Sequence, residues 1–83
     1  MGGRREVTLY GREGCHLCDE ARESIVELRA DGFDFDLIEV DIESDRDLHL
    51  RYLERIPVIE VGDTEVCELG FDRGAVTAML ASL

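Results

Sequence analysis

The chain has 83 residues, 45% of them apolar, enough for one small packed domain over residues 1–83 and too few for a second. Twenty acidic residues against nine basic ones give a formal charge of −11. Such a surface repels phosphate backbones and anionic lipid, so nucleic acid and membrane are not expected partners. The apolar runs last only a few residues, which excludes a transmembrane helix, and the polar start Met1–Glu6 has no apolar stretch of signal type.

Glu6 to Tyr10 reads as a short strand of β-formers, ended by Gly11-Arg12-Glu13-Gly14. From Cys15 the pattern turns helical: Leu17, Ala21, Ile25 and Leu28 recur at intervals of three and four, with Arg22, Glu23, Glu27 and Arg29 between them. Asp31-Gly32 closes this helix, with glycine as the C′ residue. Phe33, Phe35 and Leu37 then alternate with Asp34 and Asp36, and Ile38, Val40 and Ile42 follow. That predicts a second strand, polar at its start and more buried towards its end.

Ser44, Asp45 and Asp47 predict a short second helix, with serine able to cap and the acids suiting the dipole. Its apolar face would be Leu48, Tyr52 and Leu53. Pro57–Val61 and Thr64–Cys67 flank Gly62-Asp63, a two-residue hairpin signal. Asp72 can cap a last helix whose apolar side is Val76, Met79, Leu80 and Leu83; Gly74 weakens its first turn. The order is β-α-β-α-β-β-α. The first βαβ unit pairs its strands in parallel with a right-handed crossover and the hairpin is antiparallel. The fold class is therefore α/β, with a mixed four-stranded sheet covered by helices.

The chemistry concentrates in the cysteines. There are three, Cys15, Cys18 and Cys67, and an odd, small number argues for a cytoplasmic chain rather than a secreted disulfide framework. Gly14-Cys15-His16-Leu17-Cys18 lies where a strand ends and a helix begins. Cys15 at or beside the N-cap meets unpaired backbone N–H groups and the helix dipole, both of which stabilise a thiolate. Cys18 falls in the first turn on the same side, so the pair combines an exposed nucleophile with a sheltered resolving thiol. An imidazolium at His16 would favour the ionised form, while Asp19 and Glu20 work against it. C-x-x-C is also half of a tetrahedral zinc site, but such a site wants a second pair, and only Cys67, His49 and His16 remain as donors. Cys67 reads as a small apolar core residue and His49 as a surface residue.

The whole chain resembles the thioredoxin fold in its minimal form, and its length and element order are similar to a glutaredoxin. The string Tyr10-Gly11-Arg12-Glu13-Gly14-Cys15-His16-Leu17-Cys18-Asp19-Glu20-Ala21 resembles the small glutaredoxin-like proteins with a C-H-L-C-D-E-A signature. Val40-Asp41-Ile42 and Tyr52–Val58 fit the same group. The resemblance implies Cys15 as nucleophile and Cys18 as resolving cysteine. It implies a cis peptide at Ile56-Pro57, facing the disulfide and offering backbone groups to an extended substrate segment. Arg12 falls where glutaredoxins often carry a lysine that contacts the carboxylate of glutathione, and Arg12, His16, Ile56 and Pro57 make up the expected substrate-binding set.

Two departures bear on glutathione. The segment Val66–Asp72 has a single glycine where glutaredoxins usually have a Gly-Gly pair, and His16-Leu17 replaces the dipeptide of C-P-Y-C. The expected function is thiol-disulfide oxidoreduction on protein or small disulfides, by a monomer with no metal or organic cofactor. Glutathione would be at most a weak co-substrate. The alternative is a non-catalytic binding module, or a carrier of zinc or an iron–sulfur group at the C-x-x-C.

Overall fold

Val7, Thr8 and Leu9 alternate between two faces of a strand, and the computed structural model shows what each face meets. It describes residues 5–83; Met1–Arg4, most of the polar start, lie outside the described residues. The elements are β1 (Glu6–Gly11), α1 (His16–Ala30), β2 (Asp36–Asp41), a 3-10 turn (Ile42–Ser44), α2 (Arg46–Tyr52), β3 (Val58–Val61), β4 (Thr64–Glu68) and α3 (Arg73–Ala81). The sheet order is β2-β1-β3-β4, parallel for β1 with β2 and antiparallel for the other pairs. This is the expected α/β fold with a mixed four-stranded sheet.

One core cluster gathers Val7, Leu9, Ile59 and Val61 of the sheet with Ala21, Ile25 and Leu28 of α1 and Val76 and Leu80 of α3. A second gathers Cys18, Ile42, Tyr52, Ile56 and Val58, with Tyr10, Cys15 and Leu48 packed against it. Full burial of a side chain such as Ile25 or Leu28 contributes about 1.5–3 kcal/mol. Surface pairs such as Arg22 with Asp19 contribute about 0.2–0.5 kcal/mol. The apolar row therefore sets the rotation of α1. Because that row runs through Cys18, Ala21, Ile25 and Leu28, Leu17 faces solvent and is 48% exposed, against its expected place in the core.

Other expectations shift for equally local reasons. Phe33 and Phe35 precede β2 rather than lying in it. β2 is an edge strand, so Ile38 is exposed and the burial expected towards its end appears only at Ile42, in the 3-10 turn. Asp45, not Ser44, caps α2 by accepting from Asp47 N at 2.8 Å, while the Ser44 hydroxyl donates to Asp41 O at 2.6 Å. Leu53 follows α2 and Leu83 follows α3, and both are exposed. The remaining caps stand as read: Gly32 follows α1 with φ +109°, and Asp72 accepts from Ala75 N at 3.1 Å.

Candidate redox site at the start of helix α1

β1 ends at Gly11, and the next three residues turn the chain into α1. Cys15 N donates to Arg12 O at 3.3 Å, and Gly14 takes the positive φ of +83° that the turn requires. Cys15 is then the N-cap residue of α1, with extended backbone angles of −91° and 106°. Its sulfur stands where a serine or aspartate oxygen commonly stands, accepting from Cys18 N at 3.1 Å. The two sulfurs are joined as a disulfide. Cys15 is half-buried, and Cys18 has no exposed surface.

Tyr52 at the end of α2, Ile56 before β3 and Val58 at the start of β3 pack with Cys18 in one buried cluster. The Ile56-Pro57 peptide is cis, and Pro57 is buried. Leu69 N donates to both Arg55 O and Pro57 O at 2.9 Å, which holds this segment against the end of β4. Arg55 strengthens the tie: its Nε donates to Glu68 at 2.7 Å, and it also pairs with Glu65. Ile56 packs in the same cluster as Cys18, with Cys15 against it, so it belongs beside the cysteine pair.

Arg12 and His16 lie nearby, each within reach of a carboxylate. Arg12 Nη1 donates to Glu43 Oε2 at 3.1 Å, and His49 Nε2 lies 3.6 Å from the same oxygen. His16 points outward, 86% exposed, with its Nε2 3.0 Å from Glu20 Oε2 one turn along α1. A cleft of about 460 Å³ runs beside the site between the end of β1, the start of α1 and β2; its walls include Gly11, Arg12, Arg22, Glu39 and Asp41. Arg22 there is held by Glu39 at 2.6 Å and Asp19 at 3.0 Å.

Cys67 belongs to the other core cluster, with α1 and α3. Asp72 N donates to its sulfur at 3.4 Å, and burial pushes its thiol pKa up. Among the described residues no group of three or more His, Cys, Asp or Glu side chains is placed to share a metal ion. Sequence reading missed Gly11, which lets the backbone approach Cys18, although glycine at a strand end is the signal for close approach. It also missed Glu43, one acid within an acidic run, which only the register of β2 brings to Arg12.

The match to known proteins follows this geometry. Residues 6–81 match the glutaredoxin-like domain (DUF836). The chain belongs to this glutaredoxin-like family. It is 32% identical to protein Ne2328 from Nitrosomonas europaea, with a TM-score of 0.79 over 95% of this chain and 94% of that one. It is also 32% identical to protein XcR50 from X. campestris, with a TM-score of 0.73 over 93% and 97% of the two chains. A mutant thioredoxin from Halobacterium salinarum shares the fold at 21% identity and a TM-score of 0.61, covering 96% of this chain and 74% of its own. None of the curated protein sequences matches it. The glutaredoxin-like assignment rests on the domain as a whole, and the cysteine pair sits within the matched residues.

Proposed function

We propose that this glutaredoxin-like domain is a thiol-disulfide oxidoreductase in which Cys15 is the nucleophile and Cys18 the resolving thiol. The observation that carries this reading is the asymmetry of the pair: Cys15 sulfur at the N-cap, accepting a backbone N–H, with Cys18 fully buried behind it. After reduction, the N–H groups of the first turn and the helix dipole favour the Cys15 thiolate. Burial keeps the Cys18 thiol protonated until a mixed disulfide forms beside it.

In the forward direction the Cys15 thiolate attacks one sulfur of a substrate disulfide. The other substrate sulfur leaves as a thiolate and takes a proton from water. Cys18 then loses its proton and attacks the Cys15 sulfur, releasing the second substrate thiolate. Two electrons have passed to the substrate, and Cys15–Cys18 is the disulfide left behind. Two external thiols, or one dithiol, reopen it. The substrates are disulfides of proteins or of low-molecular-weight thiols.

The test is dithiothreitol-driven reduction of a disulfide-bonded protein. The wild-type chain should accelerate it at catalytic amounts, and Cys15→Ser should not. A wild-type rate equal to that of dithiothreitol alone would overturn the reading.

A further inference from the structure

In the parallel register of β1 with β2, Gly11 stands opposite Asp41. The two chains leave the sheet side by side, so the residues that follow are neighbours. Arg12 comes directly after Gly11, and its carbonyl accepts from the N–H of Cys15. It is thus tied to the backbone of the nucleophile. Glu43 sits in the 3-10 turn after Asp41, and three contacts fix that turn. Asp41 Oδ1 accepts from Glu43 N at 2.9 Å, Ser44 Oγ donates to Asp41 O at 2.6 Å, and Ile42 is fully buried. The Glu43 carboxylate therefore reaches Arg12 from a rigid base, with His49 of α2 on the same oxygen.

Arg12 is the arginine nearest Cys15 along the chain, and a guanidinium beside a thiol-exchange centre would attract a substrate carboxylate. Here an internal carboxylate already takes that place. The neighbouring cleft is lined by Glu13, Asp19, Glu39 and Asp41, and its other arginine, Arg22, is taken up by Asp19 and Glu39, so an incoming anion meets a wall of net negative charge with no unpaired arginine among the lining residues. We propose that Glu43 is a specificity-determining residue: by neutralising Arg12 it selects against thiols that carry a carboxylate, and leaves the cysteine pair to uncharged or cationic thiols and to protein substrates. This rests on the dithiol reading above and deepens it.

The thiols concerned open the Cys15–Cys18 disulfide by attack of a thiolate on the Cys15 sulfur. Cys18 leaves as a thiolate and is protonated, and a second thiol releases Cys15 and departs as the oxidised dimer. Glu43 acts on the approach of the first thiol.

The experiment compares opening of the oxidised protein by glutathione, which bears two carboxylates, and by cysteamine, which is cationic. Reactions are stopped by acid, alkylated and read by intact mass at about 0.15 M salt, where charges beyond about 8 Å are largely screened. The readout is the ratio of the two rate constants, in which the fold stability of a variant cancels. Glu43→Gln should raise the glutathione-to-cysteamine ratio by about three- to tenfold, a little above the worth of one exposed ion pair because a repulsion is also removed. Adding Arg12→Ala to Glu43→Gln should return the ratio to the wild-type value. An unchanged ratio in Glu43→Gln overturns the inference, and so does a rise that survives Arg12→Ala, since Glu43 would then act without Arg12. An equal rise in Glu27→Gln, which removes the same charge from an exposed position of α1, also overturns it, because overall charge would then explain the effect. A wild-type disulfide inert to both thiols overturns the dithiol reading and this inference with it.

Discussion

A Cβ added to Gly11 would stand 3.0 Å from the sulfur of Cys18 and 3.1 Å from its Cβ. The last residue of β1 thus sets how closely the strand and the first turn of α1 approach, and with that the seat of the Cys18 sulfur. Gly11→Ala should destabilise the reduced protein by about 1–3 kcal/mol, the usual cost of overpacking a filled site. It should also slow release of a mixed disulfide from Cys15, because Cys18 must shift to make room. Urea unfolding of the reduced variant and the lifetime of the Cys15 adduct by mass check both effects; wild-type values in both would mean the contact is slack.

The reduced chain contains three thiols in three settings. Cys67 is buried, its sulfur accepts from Asp72 N, and its pKa is raised mainly by desolvation. Iodoacetamide at neutral pH should therefore modify Cys15 first and leave Cys67 unmodified until the chain unfolds. Peptide mapping at one equivalent of reagent measures the order. Cys67 labelling as fast as Cys15 would show that the β4–α3 junction opens readily.

Tyr10 stacks on Tyr52 with ring centroids 4.6 Å apart and donates to Glu60 Oε1 at 3.2 Å. Burial, followed by the Glu60 charge and hydrogen bond, pushes its phenol up to about 12. A raised pKa means the folded state holds this proton more tightly than the unfolded chain does. Its contribution to stability is thus complete below pH about 10 and is lost as pH rises through about 12. Unfolding free energy should fall across that interval by less in Tyr10→Phe than in wild type. An identical fall in both proteins would remove Tyr10 as the cause.

Much of this architecture is legible in the sequence because local signals agree with one another. The hairpin at Gly62-Asp63, the Asp72 cap and the glycine after α1 each mark a boundary by their own backbone chemistry. C-x-x-C at a strand-to-helix junction places the cysteine pair at the start of α1 before any fold is known. The errors arise where tertiary position overrides local pattern. Leu17 fits a helical apolar spacing within one residue, yet the row that meets the sheet starts at Cys18. The apolar residues of β2 predict a strand more buried towards its end, and its place at the sheet edge exposes Ile38. Ser44 and Asp45 are both competent caps, and only the 3-10 turn decides between them. Glu43 carries no signal of its own, since its importance comes from Arg12, thirty-one residues earlier in sequence.

The Cys18→Ser variant tests the central claim most directly. Mixed with a disulfide-bonded protein, the reduced variant should form one stable intermolecular disulfide, mapped by mass spectrometry to Cys15. The wild-type chain should instead release reduced substrate and finish as the Cys15–Cys18 disulfide. Attachment of substrate to Cys67, or failure of Cys18→Ser to capture any substrate, would contradict the account.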